Sequence, residues 1–260
     1  MHLAKPISDA VGTCLHGLVE LVLPDVCGAC GAEEVARGGL CDACNRQLLS
    51  LVSLAFCPRC GQTLGPNIPA RADGCAGCGD TLPRFERVDR LGPYTGPLRQ
   101  AVRGLKYHRR QRLRARLAHL LAERIAAGLE DGFGFDAVVP IPMHWRRRLA
   151  RGFDHARAIA TRLAGELALP VGCELARTRN TPPQIHLPRT RRLENVRGAF
   201  AVRSEASVAG TSLLLVDDVT TTGATAEEAA RTLLRAGAAH VRLAVFAKSE
   251  TPTAYAHVLG

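Results

Sequence analysis

The chain has 260 residues, of which 47% are hydrophobic, enough for one sizeable domain and a small companion. Its net charge of +10 points to anionic partners such as nucleotides, polyphosphates or nucleic acid. No apolar run approaches the roughly 18 residues that span a bilayer, so membrane insertion is not expected. The N-terminal stretch is interrupted by Asp9 and Glu20 and lacks a charged leader and a small-residue cleavage site. It does not read as a signal peptide, and a cytoplasmic location is expected.

Eight of the ten cysteines fall in four CxxC pairs, "CGAC" at 27–30, "CDAC" at 41–44, "CPRC" at 57–60 and "CAGC" at 75–78. Two intervening residues let two thiolates grip one tetrahedral ion. Three of the pairs are followed by Gly, which a tight knuckle needs for its permissive backbone. The natural grouping places Cys27, Cys30, Cys41 and Cys44 around one zinc ion. Cys57, Cys60, Cys75 and Cys78 then surround a second, and an interleaved pairing stays open. A disulfide scaffold fits less well, because no secretion signal accompanies the pairs. A module this small draws its folding energy from metal, and four thiolates leave no open coordination position, so the zinc is expected to be structural. Cys14 and Cys173 lack such partners and read as ordinary buried residues. The module is expected to occupy residues 1–82, with a second domain over 83–260.

After Pro83 the composition changes. "RFERVDRLGPYTG" reads as a strand pair or hairpin, followed by a helix in "PLRQAVRGLKYH". The next helix, in "RRQRLRARLAHLLAERIAAGL", sets Leu113, Leu117, Leu120, Leu121 and Ile125 on one face. Residues 99–116 contain only basic charges, Arg99, Arg103, Lys106, Arg109, Arg110, Arg112, Arg114 and Arg116, and read first as a solvated helix face. "FDAVVPIP" is a short apolar strand leading into a loop. The helix beyond it is capped by Asp154 and buries Ile159, Leu163 and Leu167. "VGCELA" is a short strand, and residues 176–197 have three prolines and no period, so they read as irregular.

"SLLLVDD" is a continuous apolar strand of the kind expected where both sheet faces are covered. Thr225 followed by Glu228 predicts a capping box for a helix running to Arg235. Gly237 follows as its C′ residue, and "HVRLAVFA" returns as a strand. Strand–helix–strand alternation predicts an α/β domain with a mainly parallel sheet. Asp217 and Asp218 then stand at the carboxyl end of a buried strand, the ligand edge of an open sheet. The "TTTGAT" loop that follows offers backbone N–H groups and hydroxyls beside a helix N-terminus. Such a loop suits a phosphate monoester, and the two carboxylates suit vicinal hydroxyls, so the expected ligand is a ribose 5-phosphate.

"LLLVDDVTTTGAT" resembles the signature with which type I phosphoribosyltransferases bind phosphoribosyl pyrophosphate (PRPP). The order of the other segments, namely the CxxC pairs, "LKYHRRQRL", "VPIPMHWRRRLARGFDHARAIA" and "RTRNTPPQIHLPRTRRLENVRGAF", resembles the ComF family over nearly the whole chain. Asp154-His155 stands where that family commonly has Asn-Gln. The resemblance implies a sheet of the type I phosphoribosyltransferase kind and a double zinc ribbon. It implies PRPP contacts from Asp217, Asp218, Thr220, Thr221, Thr222, Gly223, Ala224 and Thr225. Met143 and His144 would contribute from a pyrophosphate loop over 143–146, with Arg147, Arg148 and Arg151 in or just beyond it. Asp217, Asp218 and Arg146 would be catalytic, Mg²⁺ would arrive held mostly by PRPP oxygens, and 176–197 would form a flap. Members take part in DNA uptake or DNA use, which implies single-stranded DNA and uptake machinery as partners. Two readings stay open: a transferase with an unnamed acceptor, and a non-catalytic PRPP-sensing or single-stranded-DNA-binding adaptor.

Overall fold

The strand Ser212–Thr220 organises the fold, because its side chains alternate between two buried faces. Leu214 and Val216 join one apolar cluster, and Leu213 and Leu215 join another. An uninterrupted Leu-Leu-Leu-Val run is what a strand covered on both sides requires. The structure, a computed structural model, describes residues 26–33, 35, 38–78, 82–105, 111–129, 132–146, 149, 152, 154–172, 175–181, 191–203 and 208–250.

In chain order the elements are α1 (Asp42–Val52), a short 3-10 turn (Ala76–Cys78), β1 (Val88–Pro93), α2 (Gly96–Gly104) and α3 (Gln111–Ala127). Then come β2 (Ala137–Pro140), α4 (His155–Leu167), β3 (Leu175–Arg177), α5 (Arg191–Val196) and β4 (Phe200–Val202). The chain continues through β5 (Ser212–Thr220), α6 (Ala224–Arg235) and β6 (His240–Lys248). The main sheet has the order β1-β6-β5-β2 and every neighbouring pair is parallel. β3 and β4 form a separate antiparallel pair, Leu175 opposite Val202 and Arg177 opposite Phe200.

Helices α1 to α4 share one core with Leu91, Val138, Leu214, Val216 and Phe246. Helix α6 covers the opposite face, where Ala226, Ala229, Ala230 and Leu233 meet Val139, Leu215, Leu243 and Val245. The expected α/β class with a mainly parallel sheet is therefore what the chain forms. Leu113, Leu117, Leu120, Leu121 and Ile125 are all buried along α3. Asp154 caps α4 by accepting the Arg157 N–H at 3.1 Å. Gly237 follows α6 at φ 99°, the left-handed conformation that glycine tolerates. No helix among the described residues is long and apolar enough to cross a membrane.

The cysteine-bearing segment shares the main core. Cys27, Leu40, Cys44, Leu48 and Leu51 belong to the same cluster as Leu91 and Leu98. Gly92 makes this fit possible: a Cβ there would come within 3.1 Å of both the Leu51 Cβ and the Leu51 carbonyl oxygen.

Four local expectations are corrected. Residues 84–96 contain one strand, β1 at Val88–Pro93, and no hairpin, because those six residues are buried and pair parallel to β6. Gly92-Pro93 ends a strand here and makes no turn. Among the described residues of "VGCELA", strand begins at Leu175, and Val171 makes an isolated bridge to Val138. The 176–197 segment is not irregular throughout, since α5 forms where Val196 packs into the second cluster. Thr225 and Glu228 form no capping box. The N-cap is Gly223 at φ 82°, so Thr225 already lies inside α6. The Glu228 carboxylate instead accepts the Gly198 N–H at 2.7 Å and pairs with Arg231. Lys106, Arg109, Arg110, Arg147, Arg148, Arg151, Cys14 and Cys173 lie outside the described residues, as does the middle of the 176–197 segment.

Candidate functional site

β2 ends at Pro140 while β5 runs on to Thr220, so the last residues of β5 have no neighbour on the β2 side. That gap opens a cavity of about 280 Å³ at the carboxyl edge of the sheet. Asp217, Asp218, Thr220, Thr221, Gly223, Ala224 and Thr225 line it from β5 and the loop into α6. Met143 lines it from the loop after β2, and Asp154, His155 and Arg177 close the remaining sides.

Both carboxylates stay in the cavity wall, each folded back on the next peptide. The Asp218 N–H donates to Asp217 Oδ1 at 2.9 Å, and the Val219 N–H donates to Asp218 Oδ1 at 2.7 Å. The β5–β6 register passes from Asp217 opposite Val245 to Val219 opposite Ala247 without including Asp218. The Asp217 side chain therefore satisfies the amide of the one position the ladder skips. Burial, and then the neighbouring Asp218 charge, holds the Asp217 carboxyl well above the usual carboxylate range, with Arg177 opposing the shift.

The loop beyond has the complementary property. Among the described residues, the N–H groups of Thr221, Thr222 and Gly223 have no acceptor within the chain. Gly223 adopts a left-handed conformation and α6 begins at once, with no side chain capping its first turn. The Ala224 N–H makes only a long contact, to Thr222 Oγ1 at 3.4 Å. A row of bare amides at a helix N-terminus is a ready anion site. A polyanion seated there next to two aspartates fits best when it carries hydroxyls or a divalent cation for the carboxylates to hold.

A second cavity, of about 240 Å³, adjoins the first and shares Pro142, Met143, Asp154 and Arg177 with it. Arg157, Arg177 and Arg203 line it together with Trp145. The sequence expectation missed Arg177, Arg157 and Arg203, and it treated Asp154 only as a cap. Arg177 lies at the end of β3, donates to Thr181 Oγ1 at 2.6 Å and stacks 5.3 Å from the Phe200 ring centre. Short strands of weak pattern carried no signal that they fold over the sheet edge.

Three expected residues stand outside the first cavity's lining. Thr222 faces the Ala224 amide. His144 is 5% exposed, with Nδ1 accepting the Arg146 N–H at 3.3 Å. Arg146 is exposed, its guanidinium 5.3 Å from the centre of the Trp145 ring.

The eight cysteines form two clusters, Cys27, Cys30, Cys41 and Cys44, and Cys57, Cys60, Cys75 and Cys78. Within each, all sulfurs lie within 4.8 Å of one another. Cys30–Cys41, Cys57–Cys78 and Cys60–Cys75 are each 3.7 Å apart, and Cys75–Cys78 4.0 Å. Zinc bound at about 2.3 Å by four tetrahedral thiolates spaces them about 3.8 Å apart, whereas a disulfide needs about 2.05 Å. The clusters therefore fit zinc, in the grouping expected from the spacing, and the interleaved alternative is absent. Burial opposes ionisation of Cys27, but backbone N–H groups bring its thiol down to about 6. Burial and the neighbouring sulfurs push the Cys44 thiol up, the effect that a bound cation reverses.

The phosphoribosyl transferase domain family matches residues 105–255, and the double zinc ribbon domain family matches residues 18–82. DNA utilization protein YhgH of Salmonella typhi is 35% identical over 228 residues, covering 86% of this chain and 96% of that protein. The YhgH protein of Escherichia coli (strain K12) is 32% identical over 229 residues, covering 86% and 96%. Competence protein F of Haemophilus influenzae is 27% identical over 217 residues, covering 82% and 92%.

Proposed function

Since the chain belongs to the ComF family, in which a phosphoribosyl transferase domain follows a double zinc ribbon, we propose that it binds PRPP with Mg²⁺ at the β5–α6 edge and serves DNA uptake or DNA utilisation. One observation carries this reading: the bare N–H groups of Thr221, Thr222 and Gly223 stand directly after two carboxylates that line the same cavity. The amides and the hydroxyls of Thr220, Thr221 and Thr225 take the 5-phosphate. Asp217 and Asp218 accept hydrogen bonds from the ribose 2- and 3-hydroxyls. The pyrophosphate lies toward Met143 and the arginine-lined neighbouring cavity, where Arg157, Arg177 and Arg203 offset its charge.

Mg²⁺, when bound with PRPP, supplies charge neutralisation at the leaving pyrophosphate. Transfer to an acceptor would break the bond from ribose C1 to the pyrophosphate oxygen. Asp217 and Asp218 would offset positive charge on the ribosyl ring, and Arg146 would act from the flanking loop. The eight cysteines hold two structural zinc ions, and the ribbon over residues 1–82 accompanies a transferase domain over 83–260, in a cytoplasmic protein. PRPP with Mg²⁺ should raise the melting temperature of the wild-type chain and leave the Asp217→Ala/Asp218→Ala variant unmoved. Equal shifts in the two proteins would reject the reading.

A second reading, the non-catalytic adaptor, is favoured by Trp145. It is 53% exposed, carries Arg146 over its ring and lines the second cavity. An exposed ring beside guanidinium groups is a stacking platform for single-stranded DNA. Pyrophosphate release measured across a panel of bases, amines and nucleic acids separates the two. Release that depends on an acceptor supports the transferase, and PRPP binding without release supports the adaptor.

A further inference from the structure

Three consecutive residues at the end of β6 and just beyond it connect the anion loop to the second cysteine cluster. Lys248 Nζ donates to the Thr221 carbonyl. The Ser249 N–H donates to the Thr220 carbonyl at 2.8 Å. Glu250 Oε1 accepts both the Thr63 N–H, at 2.8 Å, and the Thr63 hydroxyl, at 3.0 Å. Thr63 stands three residues after Cys60, and Cys57 and Gln62 close the knuckle between them through the Cys57 N–H, at 2.9 Å.

This bridge is buried and charged. The Arg90 and Glu250 side chains are both 0% exposed, with Arg90 Nη2 3.6 Å from Glu250 Oε1. The same nitrogen donates to Thr63 Oγ1 at 2.7 Å, and the guanidinium sits 5.1 Å from the Phe56 ring centre. Lys248 is 7% exposed, and the knuckle rests on its stem: a Cβ at Gly61 would stand 3.8 Å from Lys248 Cδ.

Peptide geometry turns these contacts into aim. In a planar trans peptide the C=O of one residue and the N–H of the next point in opposite directions. Anchoring the Thr220 carbonyl on Ser249 therefore turns the Thr221 N–H the other way. Anchoring the Thr221 carbonyl on Lys248 does the same for the Thr222 N–H. These are two of the three amides without an acceptor. The ammonium group behind the Thr221 carbonyl also polarises that peptide toward a more positive N–H.

We infer that the second cysteine ribbon holds the anion loop in its binding geometry through Glu250 and Lys248, which are positioning residues for the phosphate amides. The inference rests on the reading that this loop takes the PRPP phosphate. The knuckle around Thr63 has little core of its own, so its place depends on the metal its thiolates hold. Coupling between two sites is reciprocal. Metal in the second cluster then favours phosphate binding, and phosphate binding retains that metal.

The test uses the full chain and two variants. Arg90→Met/Glu250→Met removes the tether but replaces a buried ion pair by apolar side chains, an exchange that proteins often tolerate without loss of stability. Lys248→Met removes the ammonium contact to the Thr221 carbonyl while leaving Glu250 on Thr63, and stands in should the double variant not fold. Both should keep wild-type zinc content. Nuclear relaxation should show the Thr221 and Thr222 amides falling from an order parameter of about 0.85 to below about 0.6. PRPP with Mg²⁺ should bind about tenfold more weakly, and it should slow chelator-driven zinc loss from the second cluster in wild type about as much, with the first cluster unaffected. Unchanged order parameters in a folded variant overturn the inference, whatever PRPP does. Loosened amides in a chain whose wild type fails to bind PRPP sustain the positioning role and overturn the proposed ligand.

Discussion

The Asp218 N–H reaches back 2.9 Å to the Asp217 carboxylate, so the first acid of the pair satisfies the peptide of the second. The two side chains are thus fixed at the cavity wall before any ligand arrives. This arrangement carries a penalty, because Asp217 is held there by geometry that raises its proton affinity through burial and the adjacent charge. The folded carboxyl binds its proton more tightly than the unfolded one. Its protonated form therefore favours folding, and stability falls as pH rises from the ordinary carboxylate range through the raised folded value.

Asp217→Asn tests this directly. Without ligand the variant should melt about 2–4 °C above wild type at neutral pH, the shift that roughly 1 kcal/mol gives a domain of this size. The gap should close as pH falls toward the ordinary carboxylate range. Scanning calorimetry across pH is the measurement, and a gap independent of pH would mean that the Asp217 charge does not burden the fold. The same variant should bind PRPP more weakly, since stability and function draw on the same carboxylate.

Arg177 lines both cavities and moderates the charge of Asp217. Arg177→Ala should weaken PRPP binding about 10- to 100-fold, the span expected for one charge-assisted contact. The apparent pH dependence of the Asp217 site should shift upward at the same time. Titration calorimetry at two pH values checks both, and unchanged affinity would remove Arg177 from the site.

Gly92→Ala should destabilise the chain by about 1–3 kcal/mol, because the new methyl meets the Leu51 side chain and carbonyl at 3.1 Å and Leu98 at 3.2 Å, so that packed neighbours must shift. Urea unfolding followed by zinc content reads the effect. The interest lies in what it says of the ribbon: a variant at full stability would show that α1 does not rest on β1.

Metal analysis should return about two zinc ions per chain. Stripping them with a chelator should unfold more than the ribbon, since Cys27 and Cys44 sit in the same core cluster as Leu91, Leu98 and Leu117. Loss of helical signal as zinc leaves the first cluster is the expected outcome in circular dichroism. A retained helical signal in the metal-free protein would contradict a shared core.

Much of the site could be read from local pattern. The Leu213–Val216 run, the acids after it and the Gly223 turn lie in one continuous stretch, so strand, carboxylates and amide loop follow from neighbouring residues alone. The cysteine clusters were legible for the same reason, since CxxC spacing is itself the ligand geometry. Arg177 was not legible, because a three-residue strand gives no periodic signal and reaches the cavity only by folding over the sheet edge. The Thr225–Glu228 pattern misled for a related reason: Glu228 accepts the N–H of Gly198, remote in the chain, and pairs with Arg231 one turn along the same helix.

Sequence alone thus determined the elements whose partners lie a few residues away: the knuckles, the apolar strands, the amphipathic helices and the loop of bare amides. Tertiary structure decided what meets across long separations. It set Glu250 on Thr63, Arg177 beside Asp217 and Leu51 over Gly92. Hydrogen bonding and side-chain periodicity act within a turn or a strand, whereas those three meetings depend on how the sheet edge and the ribbon bury their remaining polar and apolar surfaces against each other.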